Sequence, residues 1–180
     1  MRLGRRASPG PELPAEALEA GRLRRREVLA AAPSGACWLI ATRTRLLMAE
    51  PAAGQSGAAY EVGRDVAWVD LDTAEWEADD GRLTFVPSDP GASPWSVLLE
   101  QAEAQTLLTV VRERLSATLV LERQSLVEGR RIAAVCRLAE PGSPLIWRVR
   151  YEAGVDPDDP VVRRAAALLL QRSQEEVGPA

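Results

Sequence analysis

The stretch CWLIATRTRLLMAE, residues 37–50, decides the fold of this chain. Two short apolar runs, 37–41 and 46–49, flank the polar segment 42–45. Trp38 and Ile40 alternate with Leu39 and Ala41, and Leu46 and Met48 alternate with Leu47, as residues on the two faces of a β-strand do. The pattern therefore predicts an antiparallel hairpin. Neither run approaches the roughly 20 residues that a membrane-spanning helix needs.

A second hairpin is predicted for AEWEADDGRLTFV, residues 74–86. Asp80 and Gly81 at the centre of a two-residue type I′ turn would put Trp76 opposite Phe85 on one apolar face. In the same half, further strands are predicted for EVLAAAP at 27–33, VAWVDLD at 66–72 and WSVLLE at 95–100. A helix is predicted for AEAQTLLTVVRERL at 102–115, because its apolar residues have helical spacing. Arg112 and Arg114 would lie in the last turn of this helix, where positive charge is favourable.

The C-terminal third is predicted to be a three-stranded antiparallel meander followed by a helix. The strands are TLVLERQ at 118–124, RRIAAVCRL at 130–138 and LIWRVRYEA at 145–153. On the last strand the apolar side chains share one face, while Arg148, Arg150 and Glu152 share the other. The helix has Asp159 as its N-cap, Pro160 at its first position and Gly178 at its end. The chain is therefore predicted to be an α+β protein.

Composition excludes several kinds of chemistry. The chain has 180 residues and a net charge of −4, so no general electrostatic attraction to nucleic acid is expected. It contains no His, Lys or Asn, and all 22 basic residues are Arg, which is typical of a high-GC genome. A Ser-His-Asp triad, a Walker lysine and a lysine Schiff base cannot be built. Two cysteines without His cannot make the usual zinc sites, and we expect no cofactor.

The sequence predicts a soluble, cytoplasmic protein, because it has neither a long apolar run nor a recognisable twin-arginine signal, and it predicts two reduced cysteines. Cys37 and Cys136 lie in apolar segments and do not form a CxxC pair, so we expect two reduced core cysteines. A disulfide is the alternative if their strands face each other. The Arg5-Arg6 pair is not followed by the apolar region of a twin-arginine signal.

The order of elements over residues 24–116 resembles the bacterial pleckstrin-homology-like (PH-like, GRAM-related) domain. The resemblance rests on EVL at 27–29, ATRTRLL at 41–47, WVDLDTAEW at 68–76, GRLTF at 81–85 and VVRERL at 110–115. It implies a bent antiparallel sheet or small barrel capped by a helix, and a scaffold more than an activity. The chain is then divided into a flexible arm at 1–23 with a short helix after Pro14, a PH-like domain at 24–116, and a βββα extension at 117–180 packed on it.

Six residues are candidates for a partner surface. Three are Trp38, Trp68 and Trp95, because exposed aromatic side chains anchor partners, although packing in the core is the alternative. The other three are Arg24, Arg25 and Arg26, which can bind a phosphate or an acidic partner or can simply be a solvated run.

The acidic run between Asp70 and Asp80 does not match a calcium loop, because Ala74 and Glu75 stand where a ligand and a glycine are needed. We expect it to be a solvated face of the hairpin.

These features favour a non-catalytic binding or scaffold module for a protein or peptide, or for a second copy of the chain. Related PH-like proteins bind by strand addition beside an open sheet edge, which the resemblance extends to this chain as an expectation. One alternative is a reader of anionic lipid surfaces that uses the Arg-rich N-terminal arm. The loop at 32–36 carries no charge where lipid-binding relatives have basic residues. The other alternative is an enzyme that relies on carboxylates, and no catalytic residue is assigned.

Overall fold

The computed structural model describes residues 12–53 and 59–178, with 101–103 described by their backbone alone. In that part of the chain three antiparallel sheets and three α-helices are present and no sheet closes into a barrel, so the predicted α+β class is confirmed. The elements in chain order are α1 Ala15–Ala20, β1 Val28–Ser34, β2 Cys37–Thr42, β3 Arg45–Pro51, β4 Tyr60–Ala67, β5 Leu71–Glu77, β6 Arg82–Pro87, β7 Trp95–Leu98, α2 Gln101–Thr118, β8 Leu119–Val127, β9 Arg130–Leu138, β10 Leu145–Tyr151 and α3 Pro160–Val177.

The opening stretch forms the hairpin β2–β3 inside a four-stranded sheet with the order β1-β2-β3-β4. Trp38 lies opposite Ala49 in the register of this hairpin. The Thr42 hydroxyl donates to the Arg45 carbonyl at 2.8 Å and accepts from the Arg45 amide at 3.1 Å, which closes the turn. The predicted hairpin is confirmed. Its connection is short because the Thr42 hydroxyl makes the two hydrogen bonds to the Arg45 backbone that hold the strand ends together.

The second sheet has the order β5-β6-β7, and its hairpin β5–β6 is present as predicted. The predicted type I′ turn is wrong. That turn needs positive φ at both central residues, whereas Gly81 has φ of 62° and Asp80 is not among the non-glycine residues with positive φ. Left-handed backbone is unfavourable for a residue with a Cβ, so the turn over 78–81 uses it at the glycine alone.

Two further predictions in the first half are wrong. VAWVDLD is not one strand, because a 3₁₀ turn at Trp68–Asp70 separates β4 from β5. This turn buries the consecutive side chains of Trp68 and Val69, which a strand would direct to opposite faces. Helix α2 continues to Thr118, so Arg112 and Arg114 are not in its last turn.

The third sheet has the order β10-β9-β8, and α3 packs on one of its faces. Val149 and Tyr151 pack against a core that includes Val162 and Ala166 of α3. This contact confirms the predicted apolar face of β10. A two-residue turn at 128–129, with positive φ at both positions, joins β8 to β9. Strand β9 is buried along both faces from Ile132 to Arg137.

The predicted ends of α3 are also confirmed. The Asp159 carboxylate accepts hydrogen bonds from the Val161 amide at 2.7 Å and the Val162 amide at 3.2 Å. At the other end Gly178 takes φ of 81°. These interactions satisfy backbone groups that a helix terminus otherwise leaves unpaired.

The chain separates into two compact units, each assembled from several segments. The first takes the described residues up to 66 together with 74–84 and 95–112, and the second takes 67–73, 85–94 and the described residues from 113 onward. Of the predicted arm at 1–23, residues 1–11 lie outside the described part, and 15–20 form α1. The core of the first unit includes Leu13, Ala17, Trp38, Ile40, Leu47 and Ala49; that of the second includes Val127, Ile132, Val162 and Ala166.

Candidate functional site

A cleft of about 380 Å³ lies in the second unit, along strand β10. This volume lies within the range of known ligand sites, which are mostly apolar with a few polar groups. The apolar lining residues are Val86, Pro87, Pro90, Val135, Ile146, Val149, Val155 and Pro157, and the charged or hydroxyl-bearing ones are Asp72, Ser88, Arg137, Arg148, Arg150, Tyr151 and Glu152.

The cleft follows β10 and extends over its Arg148 and Arg150 face, because Val135 and Arg137 of the middle strand β9 also line it. Residues from both faces of the strand line it, with Arg148 and Arg150 from one face and Val149 and Tyr151 from the other. Strand β10 is an outer strand of its sheet in the described part of the chain. A ligand in the cleft is therefore next to backbone groups of the strand as well as side chains.

The backbone pairing shows which groups of β10 face outward. The Glu152 amide donates to the Arg131 carbonyl at 3.0 Å, in register with the β9–β10 ladder. Hydrogen-bonded residues alternate along an antiparallel strand, so the even-numbered residues of β10 bond to β9. The N–H and C=O groups of Trp147, Val149 and Tyr151 consequently point to the open edge.

Arg148 connects β10 to the segments that form the wall of the cleft. Its Nη1 donates to the Val69 carbonyl at 2.7 Å and to the Ser88 hydroxyl, and its Nη2 donates to Asp70 Oδ1 at 2.9 Å. The Ser88 amide in turn donates to the Asp70 carbonyl at 2.9 Å. One guanidinium therefore holds the segment at 67–73 and the segment at 85–94 against the same strand.

Arg150 lies two residues further along the same face. Its Nη1 donates to both carboxylate oxygens of Asp72, at 3.1 and 3.2 Å, and its Nη2 donates to Glu122 Oε1 at 2.5 Å. Asp72 is mostly buried and Glu122 is partly buried, whereas a third of the Arg150 side chain is exposed. The guanidinium thus bridges two carboxylates and still reaches the cleft.

Arg137 on β9 is the buried member of the cluster, with 8% of its side chain exposed. It donates to the Asp72 carbonyl at 2.8 Å, to the Thr118 hydroxyl at 2.8 Å and to the Leu115 carbonyl at 3.1 Å. Its Nε has no hydrogen-bond partner among the described residues. Burial lowers the pKa of Arg137 and the nearby Asp72 carboxylate raises it. The guanidinium stays charged in a protein, so this cation depends on its acceptors.

The cluster is electrically balanced. Its three guanidinium groups face three carboxylates, each in an ion pair, from Asp70, Asp72 and Glu122. The cluster consequently has no net positive charge that would attract anions in general. Its exposed cationic surface comes from Arg148 and Arg150, whose side chains are 33% and 36% exposed.

The six residues proposed from the sequence lie elsewhere. Trp38, Trp68 and Trp95 are buried, and the Arg64 guanidinium carbon lies 4.9 Å from the centroid of the Trp95 ring. Trp68 belongs to the second unit and the other five candidates to the first. The described residues that line the cleft include none of the six.

Arg24, Arg25 and Arg26 are exposed at the 3₁₀ turn Arg25–Glu27. Arg25 donates to the Leu13 carbonyl at 2.9 Å and pairs with Glu12 at 2.5 Å. The structure therefore commits one of these three cations to contacts within the first unit.

The cleft residues were not proposed from the sequence, although a signal for them exists. The pairs Asp70/Asp72 and Arg148/Arg150 each have the spacing of two that residues on one face of a strand share, although Asp70 ends the 3₁₀ turn before β5. The expectation that the acidic run is a solvated face is wrong for Asp72, which is mostly buried and ion-paired, whereas Asp70 is exposed and pairs with Arg148. It is right for the exposed residues Glu75, Glu77, Asp79 and Asp80.

Both cysteines are free thiols, so the disulfide alternative is wrong. Burial raises the pKa of the Cys37 thiol and of the Cys136 thiol. Within residues 12–53 and 59–178 no group of three or more potential ligands is placed to hold a metal ion.

No helix of the described residues is both long enough and apolar enough to cross a membrane. No protein-family model, no curated protein and no solved structure matches this chain. The resemblance to PH-like domains thus stays a prediction, and the geometry of the cleft carries the functional argument.

Proposed function

We propose that this protein is a non-catalytic binding module that holds an extended segment of a protein partner along strand β10. The observation that carries the proposal is the cleft itself, which both faces of an outer strand line. An added strand would pair with the outward backbone groups of Trp147, Val149 and Tyr151. Its apolar side chains would contact the valine, isoleucine and proline residues that line the cleft.

The two alternatives have less support. Binding to an anionic lipid surface was expected of the Arg-rich N-terminal arm, where Arg25 is paired with Glu12. Lipid binding by the cleft would need unbalanced positive charge, whereas its guanidinium groups are matched by equal numbers of carboxylates. An enzyme needs a carboxylate positioned to act on a ligand. Asp70, Asp72 and Glu122 are instead each paired with an arginine, which orders the wall of the cleft.

The first prediction tests strand addition with a phage-displayed library of random ten-residue peptides. A selected peptide should lose about tenfold or more in affinity for the Val149→Pro variant, because proline removes an outward N–H and crowds the edge. Isothermal titration calorimetry would measure the affinity. Backbone N-methylation of the peptide, one residue at a time, should weaken binding at alternate positions only.

Gln124→Pro is the matched control, because it makes the same change at the outer edge of β8. Val127 lies opposite Arg130 beside the two-residue turn, so the even-numbered residues of β8 face outward by the same alternation. Both variants should keep the far-ultraviolet circular dichroism of the parent. Equal peptide affinity for both variants, with N-methylation equally harmless at every position, would refute strand addition.

A further inference from the structure

We infer that the preferred partner segment alternates apolar and acidic residues, with the acidic side chains on the Arg148 and Arg150 face of β10. This inference rests on the proposed function and names the chemistry of its partner. It follows from the spacing of the two arginines, from their remaining hydrogen-bond donors and from the charge on the edge.

The spacing places both arginines opposite the same face of an added strand. Arg148 and Arg150 are two residues apart, and side chains directly across an antiparallel pair have Cβ atoms about 4.5–5.5 Å apart. Two residues of the partner, also two apart, would therefore lie opposite the two guanidinium groups. The intervening residues would lie on the face of Val149 and Tyr151, which is apolar.

Each guanidinium keeps donors for an incoming carboxylate. Arg148 and Arg150 use their Nη atoms on the acceptors described above, and neither Nε donates to any residue in the described part of the chain. Arginine presents five N–H donors, so a second carboxylate can bind without displacing the buried Asp72. Asp70, with 54% of its side chain exposed, can move into solvent if the incoming group replaces it.

The same charges disfavour two of the registers in which a second copy of this chain could occupy the edge. Two β10 strands paired about a twofold axis place residues of the same face opposite each other. With Val149 at the axis, Arg148 lies opposite Arg150 of the copy; with Arg148 at the axis, it lies opposite itself. With Tyr151 at the axis, Arg150 instead lies opposite Glu152 of the copy. Like charges directly opposite each other are destabilising. The registers centred on Arg148 or Val149 are therefore unfavourable for a second copy, whereas a strand that carries acidic residues opposite Arg148 and Arg150 is complementary to both arginines.

The test uses three seven-residue peptides, matched in length to β10, acetylated and amidated, with valine at odd positions and glutamate, glutamine or lysine at even positions. We expect the glutamate peptide to bind the full-length protein about fivefold more tightly than the glutamine peptide, since each cross-strand ion pair contributes up to about 1 kcal/mol. The lysine peptide should bind most weakly. The preference for glutamate should shrink as sodium chloride is raised from 50 to 500 mM, because salt screens exposed charges.

Arg148→Gln should reduce the preference for glutamate to within about twofold, and Arg123→Gln should leave it unchanged. Arg123 is the matched control because it is an exposed arginine of the same sheet that pairs with Glu176. Equal binding of the three peptides, or tightest binding of the lysine peptide, overturns the inference and leaves strand addition standing. If none of the three binds, both proposals are wrong. Dimerisation of the protein without peptide, abolished by Val149→Pro, would also overturn the inference.

Discussion

At the scale of single residues, Arg137 is a buried cation that connects three segments of the second unit. Its guanidinium donates hydrogen bonds to the Asp72 carbonyl on β5 and to the Leu115 carbonyl and the Thr118 hydroxyl in the last turn of α2. Arg123, in contrast, forms an exposed ion pair with Glu176. Buried and exposed ion pairs differ greatly in the cost of removing one partner.

The corresponding prediction compares Arg137→Met with Arg123→Met by urea denaturation. The first should lower the free energy of unfolding by about 3 kcal/mol, because it leaves buried acceptors without donors. The second should lower it by less than about 1 kcal/mol, the usual contribution of an exposed pair. Equal losses in the two variants would mean that burial does not determine the contribution of Arg137.

At the scale of elements, the turn between β5 and β6 depends on Gly81 for two reasons. Its φ of 62° lies in the left-handed region, and a Cβ there would lie 2.7 Å from the Leu99 carbonyl oxygen. The Gly81 carbonyl also accepts from the Leu99 amide at 2.7 Å. The turn and the chain after β7 therefore approach each other too closely for any side chain.

The prediction is that Gly81→Val lowers the free energy of unfolding by at least about 1 kcal/mol, because valine is strained at positive φ and crowds Leu99. Gly142→Val is a useful comparison, since that glycine has φ of 86° but no atom within 4 Å of an added Cβ. It isolates the conformational cost. Thermal unfolding followed by circular dichroism would show a larger loss for Gly81→Val; an equal or smaller loss contradicts the steric part of the argument.

Elements that follow a local rule could be predicted from the sequence. The strands on either side of residues 42–45 show their alternation, and α3 carries its own start and stop signals in Asp159 and Gly178. The break at Trp68–Asp70 could not be predicted, because the sequence VAWVDLD satisfies a strand pattern and only tertiary burial of two consecutive side chains favours a turn. The turn at Asp80 was also predicted incorrectly. A four-residue turn over 78–81 needs positive φ at Gly81 alone, so Asp80 does not have to adopt the left-handed conformation.

At the scale of the whole molecule, the candidate site escaped prediction because its parts are far apart in sequence. Asp70 and Asp72 lie 78 residues from Arg148 and Arg150, respectively, and only folding brings them together. The residues proposed from the sequence were three tryptophans and a run of three arginines. Both features can be recognised in a short stretch of sequence. The equal spacing of the two acidic residues and the two arginines does not by itself predict a contact. That prediction also requires knowing which segments the fold places side by side.

The last prediction concerns the predicted extension at 117–180, which we expect not to be independent of the rest of the chain. A cut after residue 116 separates Asp70 from Arg148 and Asp72 from both Arg137 and Arg150. Asp72, with 12% of its side chain exposed, would lose both of its guanidinium partners, and unpaired buried charges are strongly destabilising. A fragment of residues 1–116 should therefore unfold at a lower temperature than the whole chain or fail to stay soluble. The control is the whole chain nicked by a protease in the exposed segment 139–142, which breaks the backbone but removes none of the three arginines. A fragment that is soluble, monomeric and as heat-resistant as the intact protein would show that the two parts are independent.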